Sequence, residues 1–228
     1  MQLSFDAADR LVDLVQARRG PVSADEAARV LFALPSAPTA IARSLLDEVV
    51  QGDARLSWRG AAVALAFMPG AETPLEQARF TVFDLETTGL SATGARIVEI
   101  GARHVDALTL GATFETLVDP GDPLPPGIVA LTGIRQADVR GAPSQELAVR
   151  RFLGFAGDSV LVAHNARFDM AFLDRAVERL TGRRVASPVV DTVWLARRLL
   201  EGRVRRVGLA ELAHFFGTST QPCHRALP

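Results

Sequence analysis

FDLETTGL, residues 83–90, puts two acids one residue apart at the end of an apolar run and follows them with two threonines and a glycine. Alternate residues of a strand point to one face, so Asp84 and Glu86 converge on the same side. Adjacent carboxylates repel, and such a pair takes up a proton or a cation. Hard cations such as Mg²⁺ or Mn²⁺ prefer oxygen ligands. Thr87, Thr88, Gly89 and Leu90 continue as a turn that offers hydroxyls, backbone N–H groups and close approach to a bound group. A bare D-x-E also describes many solvated strand ends, so its meaning depends on what else the chain carries.

Two further stretches bear on it. In LVAHNARFDMAFLDRAV, residues 161–177, an apolar strand ends at Ala163 and His164-Asn165 make a turn. Asp169 then falls in the first turn of a helix, where the helix dipole favours a carboxylate. Taken alone, Asp169 reads as an ordinary capping acid. Phe168 has a ring able to stack on a base, whereas Phe172 and Leu173 read as core. The third stretch is HRALP, residues 224–228. A histidine such as His224 suits a general base, although a lone histidine is more often a surface residue.

In this order and spacing, FDLETTG, HNARFD and HRALP resemble the DEDDh exonuclease family, and within it the proofreading epsilon-type subunits of bacterial DNA polymerase III. The resemblance covers residues 80–228 and extends to IVEIGA and DTVWLARRLL. It implies an RNase H-like fold, a mixed five-stranded sheet with helices on both faces. It also implies that Asp84, Glu86 and Asp169 are metal ligands and His224 the general base. Thr87, Thr88, Gly89, Leu90, His164, Asn165 and Phe168 would border the substrate. The expected cofactor is Mg²⁺ or Mn²⁺, two ions about 4 Å apart that serve an in-line displacement. The expected substrate is a single-stranded or frayed 3′ end of DNA, trimmed 3′→5′ in proofreading or repair. An RNA-trimming member of the family, or a non-catalytic scaffold that binds nucleic acid, keeps the same motifs. A polymerase or another nuclease domain is the expected partner.

The family's histidine is followed five positions later by a fourth acid on a final helix. That position is 229 here, one past Pro228. The expectation is a loosely held His224 and slow cleavage by these 228 residues.

The remainder of the chain sets bounds. There is one cysteine, Cys223, so no internal disulfide forms, and the start lacks the basic and apolar segments of a signal peptide. No apolar run reaches membrane-spanning length. Together these point to a cytoplasmic protein without a membrane partner. Every basic side chain is arginine and the net charge is only −1, so global charge does not nominate nucleic acid. Arg203, Arg205 and Arg206 are loop cations that suit a phosphate backbone or a solvated loop equally well.

The pattern breaks at MPGAETPLEQA, residues 68–78, whose prolines and glycine read as a linker. The division expected is a module at 1–68, a linker at 69–79 and a catalytic domain at 80–228. The first module reads as three helices, the second over Ala24–Leu34 behind a Ser23/Glu26 capping box and the third over Ala40–Gln51. Two strands around Arg59-Gly60 make it winged-helix-like and α+β. After the linker come strands RFTVFDLE, ARIVEIGARHV and ATFETLVD, and then DSVLVAHN among helices, an α/β pattern. Asp191 reads as a helix cap, Asp174 as a solvent-facing residue, and His214 as a residue of an apolar helix face. His104 has no evident partner.

Overall fold

Apolar residues at helical spacing build three helices before residue 52 in the computed structural model, which describes residues 2–18, 20–35, 38–53, 55–66, 73–219 and 223–226. The chain divides into two units, Met1–Glu72 and Thr73–Pro228. Residues 69–72 of the expected linker lie outside the described residues, as do Met68 and, at the ends of the expected ribbon, Ala54 and Phe67.

In the first unit, helices α1 (Gln2–Arg18), α2 (Ala24–Phe32) and α3 (Thr39–Gln51) pack against strands β2 (Leu56–Arg59) and β3 (Ala62–Leu65). A two-residue strand β1 (Val22–Ser23) pairs with β3, giving the order β1-β3-β2. Two residues are too few to display an alternating pattern, and the sequence reading missed them. Leu11, Ala27, Leu46 and Val63 are fully buried at the centre. Ser23 caps α2 by accepting the Glu26 N–H, which satisfies one of the free amides of the first turn.

The second unit begins earlier than the linker reading allows. A 3₁₀ turn at Leu75–Gln77 leads into β4 (Arg79–Thr87). Strands β5 (Ile97–Asp106) and β6 (Thr109–Leu117) follow in a meander. Ala107 and Leu108, which join them, both have positive φ, 48° and 63°. Such a tight reversal usually uses Asn-Gly. With neither residue present, the reading started the third strand too late, at Ala112.

Helices α4 (Pro126–Thr132), α5 (Gln136–Val139) and α6 (Gln145–Ala156) come next, then β7 (Val160–Ala163) and α7 (Arg167–Thr181). A three-residue strand, β8 (Val189–Asp191), precedes α8 (Thr192–Leu199) and α9 (Leu209–Phe216). The sheet order is β6-β5-β4-β7-β8, with β4 antiparallel to β5 and parallel to β7. This is the expected mixed five-stranded sheet flanked by helices. Its fifth strand, β8, is too short to read from the sequence.

One face of the sheet carries Phe83, Leu85, Ile100, Ala102 and Leu161, buried against Phe152 of α6 and Phe172 and Leu173 of α7. The residues between them therefore point the other way. Phe80, Val82, Asp84 and Glu86 of β4 lie opposite Val105, Arg103, Gly101 and Glu99 of β5. The acidic pair thus belongs to a sheet face, as strand alternation requires. No described helix is long and apolar enough to cross a membrane.

Candidate active site

The two acids sit at the C-terminal end of the central strand β4. The ladder to β5 slips between Glu86 and Thr87, where Glu86 pairs with Glu99 but Thr87 with Ile97. A bulge of this kind bends a strand and re-aims its side chains. Its extra residue, Val98, is buried in a separate small cluster with Leu124, Ile134 and Val139. The turn beyond is closed by its own threonines. Thr87 donates to the Gly89 carbonyl at 2.7 Å, and Thr88 accepts from the Arg96 amide at 2.9 Å. Both hydroxyls therefore shape the turn, and Leu90, 91% exposed, stands out from its tip.

Asp169 arrives from α7. The last pair between β4 and β7 is Val82 with Val162. Beyond it the strands part, and the Leu85 N–H donates to Asp169 Oδ1 at 3.1 Å. Asp169 is only 2% exposed. It is thus more than the cap its sequence position suggests, because it bridges the helix to the strand that carries the acidic pair.

The three carboxyls perturb one another. Burial, then the charge of Glu99, raises Asp84 to about 6, against the opposing pull of His224 and the Leu85 amide. Burial and the charges of Asp84 and Glu99 raise Glu86 to about 7. Burial and then Asp84 raise Asp169 to about 8, despite its backbone hydrogen bonds. Titratable groups pushed this far by burial and like charge mark functional sites more often than chance. The donor set is all oxygen, the chemistry a hard divalent cation needs. Among the described residues, however, no three acidic, histidine or cysteine side chains form a ready-made cage for an ion. The carboxylates are electrostatic neighbours held by two elements, and burial and mutual repulsion outweigh the opposing pull of His224, Arg225 and the backbone amides.

His224 is exposed, yet it lies close enough for its charge to act on Asp84. The segment bearing it is not loosely held, as the sequence reading expected. Arg225 and Ala226 are bonded to Glu99 of β5, and Ala226 is buried. Glu99 itself was missed. An acid in the apolar run IVEIGA was the available signal, because a charge at that position must find partners.

The second motif forms a polar turn. Asn165 adopts a left-handed φ of 62°, and its N–H donates to Asp191 Oδ1 at 3.1 Å. The same oxygen caps α8 through Val193 N–H at 2.8 Å, as the sequence suggested. His164 Nδ1 lies 2.9 Å from Thr192 Oγ1, and burial lowers its pKa, with Asp191 opposing. Phe168 packs on Phe172 with ring centroids 5.1 Å apart and is partly buried against the core.

Three lesser expectations change. Asp174 is half-buried and accepts the Val185 amide at 3.0 Å, fastening the loop after α7, so it does not face solvent. His214 lies on the exposed side of α9, because the apolar residues Leu212 and Ala213 take the buried side. His104 does have a partner. Its Nε2 lies 3.0 Å from the Phe155 carbonyl, and its ring stacks on Phe155 at 4.0 Å.

The sequence profile of the exonuclease family, RNase T type, matches residues 81–228. The DNA polymerase III subunit epsilon-like protein of Rhodobacter capsulatus is 45% identical over 150 residues, covering 64% of this chain and 21% of that protein. The PolC-type DNA polymerase III of Streptococcus suis is 39% identical over 156 residues, covering 68% of this chain and 11% of the polymerase. The chain therefore spans only a small part of the length of these curated relatives. Exonuclease X, solved with 5′ overhanging duplex DNA, superposes with a TM-score of 0.51 at 27% identity, over 65% of this chain and 82% of that one. An Escherichia coli exonuclease I–single-stranded DNA complex reaches 0.56 at 19% identity, a likeness of fold alone.

The sheet, its helices and the acidic strand end are those of an RNase H-like nuclease domain. The chain belongs to the exonuclease family.

Proposed function

We propose that the unit from Thr73 onward is a metal-dependent 3′→5′ exonuclease acting on a single-stranded or frayed DNA 3′ end, in proofreading or repair. The observation that carries this reading is the convergence of Asp84 and Glu86 from β4 with Asp169 from α7, with His224 in electrostatic reach of Asp84. These oxygens fit Mg²⁺ or Mn²⁺, and a pair of such ions supplies Lewis acidity at the scissile phosphate and a water of lowered pKa.

The chain's own residues account for the rest. Asp84, Glu86 and Asp169 would hold the ions, whose charge would offset their repulsion and favour the ionised carboxylates at neutral pH. His224 takes the proton of the attacking water at its imidazole nitrogen. The Thr87–Gly89 turn, braced by its two hydroxyl bonds, borders the terminal nucleotide, and exposed Leu90 lies against its base. Asn165, exposed on the turn before α7, is available to a bound strand. The polymerase and epsilon-like names of the relatives support a setting beside a polymerase or a further nuclease domain.

The test is a 5′-labelled single strand incubated with Mn²⁺. The expected result is a ladder shortened from the 3′ end, abolished by Asp84→Asn and by Asp169→Asn. An RNA strand of the same sequence, run alongside, reads the sugar preference. No shortening of either strand by freshly loaded protein would overturn the proposal.

A further inference from the structure

The most heavily bonded carboxylate near the site is not one of the three proposed ligands. Glu99 lies in the middle of β5, directly across from Glu86 and on the same sheet face, and it is 0% exposed. A charge so placed needs full compensation, and all of the compensation described comes from the segment that carries His224. Arg225 Nε lies 3.0 Å from both Glu99 oxygens, Arg225 Nη2 lies 2.5 Å from Oε1, and the Ala226 amide lies 2.9 Å from Oε2. Two residues along β5, Gly101 pairs with Asp84. A Cβ on Gly101 would stand 2.4 Å from the Ala226 carbonyl oxygen, closer than a non-bonded Cβ can approach. The backbone of residues 225–226 therefore lies directly on the sheet, in a space that only glycine leaves open.

We propose that Glu99 is a positioning residue. It docks the Arg225–Ala226 backbone onto β5 and so fixes His224 over Asp84, and Gly101 provides the seat. The proposal rests on the reading of His224 as the base. It differs from a ligand role, because both oxygens of Glu99 are already engaged by N–H donors. A proton acceptor contributes to catalysis only when held at the reacting atom. The cost of a buried ion pair here secures one geometry at the end of a chain segment.

Two measurements separate this proposal from the functional reading beneath it. Hydrogen exchange at the Ala226 amide, followed by NMR without metal, requires no activity. We expect Glu99→Ala to speed that exchange at least 30-fold, Arg225→Ala to do so less, and Glu99→Gln, which keeps an acceptor for the amide, to remain near wild type. Unchanged protection in Glu99→Ala overturns the clamp whatever the enzyme does. The second measurement is hydrolysis of a single strand with Mn²⁺. Here Glu99→Ala should lower kcat at least 30-fold with KM altered less than threefold. Glu99→Gln should recover part of the loss, and Glu99→Ala with Arg225→Ala should be no worse than Glu99→Ala alone. A released Ala226 amide with unchanged kcat overturns the positioning role. If Glu99→Ala fails to fold, Arg225→Ala, at a residue 41% exposed by side chain, carries both measurements. An inactive wild-type protein would refute the functional reading while the exchange result still decides the clamp.

Discussion

Replacing Asp169 by asparagine should make the metal-free protein more stable at alkaline pH, while removing a residue proposed to be essential. The carboxyl of Asp169 is raised from 3.8 to about 8 by burial and by the charge of Asp84. Below the unfolded pKa, near 4, the folded and unfolded chains both carry the proton, and pH does not discriminate between them. From there to about 8 the unfolded chain is ionised while the folded one keeps its proton, so the stability this group contributes is lost as pH rises. One pH unit in that window is worth about 1.4 kcal/mol. Three units, from pH 5 to pH 8, amount to about 4 kcal/mol. An asparagine does not titrate, is similar in shape, and can still accept the Leu85 N–H now bound by Oδ1. The difference in unfolding free energy between the two proteins should therefore widen by about 4 kcal/mol from pH 5 to pH 8, the variant being the more stable. The assay is urea denaturation in chelator at four pH values. Wild type should retain its fall with pH, and the variant should keep only the shallower slope due to Asp84 and Glu86. Parallel curves for the two proteins would refute the argument that burial and like charge keep Asp169 protonated in the folded state.

Three further outcomes are expected. Mn²⁺ at one hundred times its dissociation constant should stabilise the wild type by about 2.7 kcal/mol, more visibly at pH 8 than at pH 5, and Asp84→Ala should abolish the effect in a thermal melt. Gly101→Ala places a methyl group against the Ala226 carbonyl; it should cost about 1–3 kcal/mol and slow hydrolysis at least 10-fold, as an unfolding curve and a kinetic assay would reveal. Residues 1–72 should not bind duplex DNA below micromolar concentrations at physiological salt. Arg43, the one arginine of α3, is already engaged by the Gly60 carbonyl at 2.8 Å and the Trp58 ring at 4.3 Å, so few cations remain to meet phosphates. Tight binding in a fluorescence anisotropy titration would contradict this.

The local rules of the chain reached a long way by themselves. Alternation along FDLE placed Asp84 and Glu86 on one face before any fold was known. The strand–turn–helix pattern around HNARFD put Asp169 at a helix start, and Asp191 announced itself as a cap, because each of these depends on residues within a few positions of one another. The order of the three motifs was enough to indicate the family. What lay beyond the sequence was long-range. Strand β8 has three residues and is defined only by pairing with β7. The tight Ala107–Leu108 reversal uses residues that give no turn signal. Phe168 has the composition of a stacking platform, and only the fold shows that its ring also packs against Phe172. Glu99 stands apart most clearly. A glutamate in IVEIGA has no local partner, and its donors come from residues 126 and 127 positions away. A buried charge must be neutralised, but only the fold decides which distant groups reach it, and here they belong to the segment that carries His224.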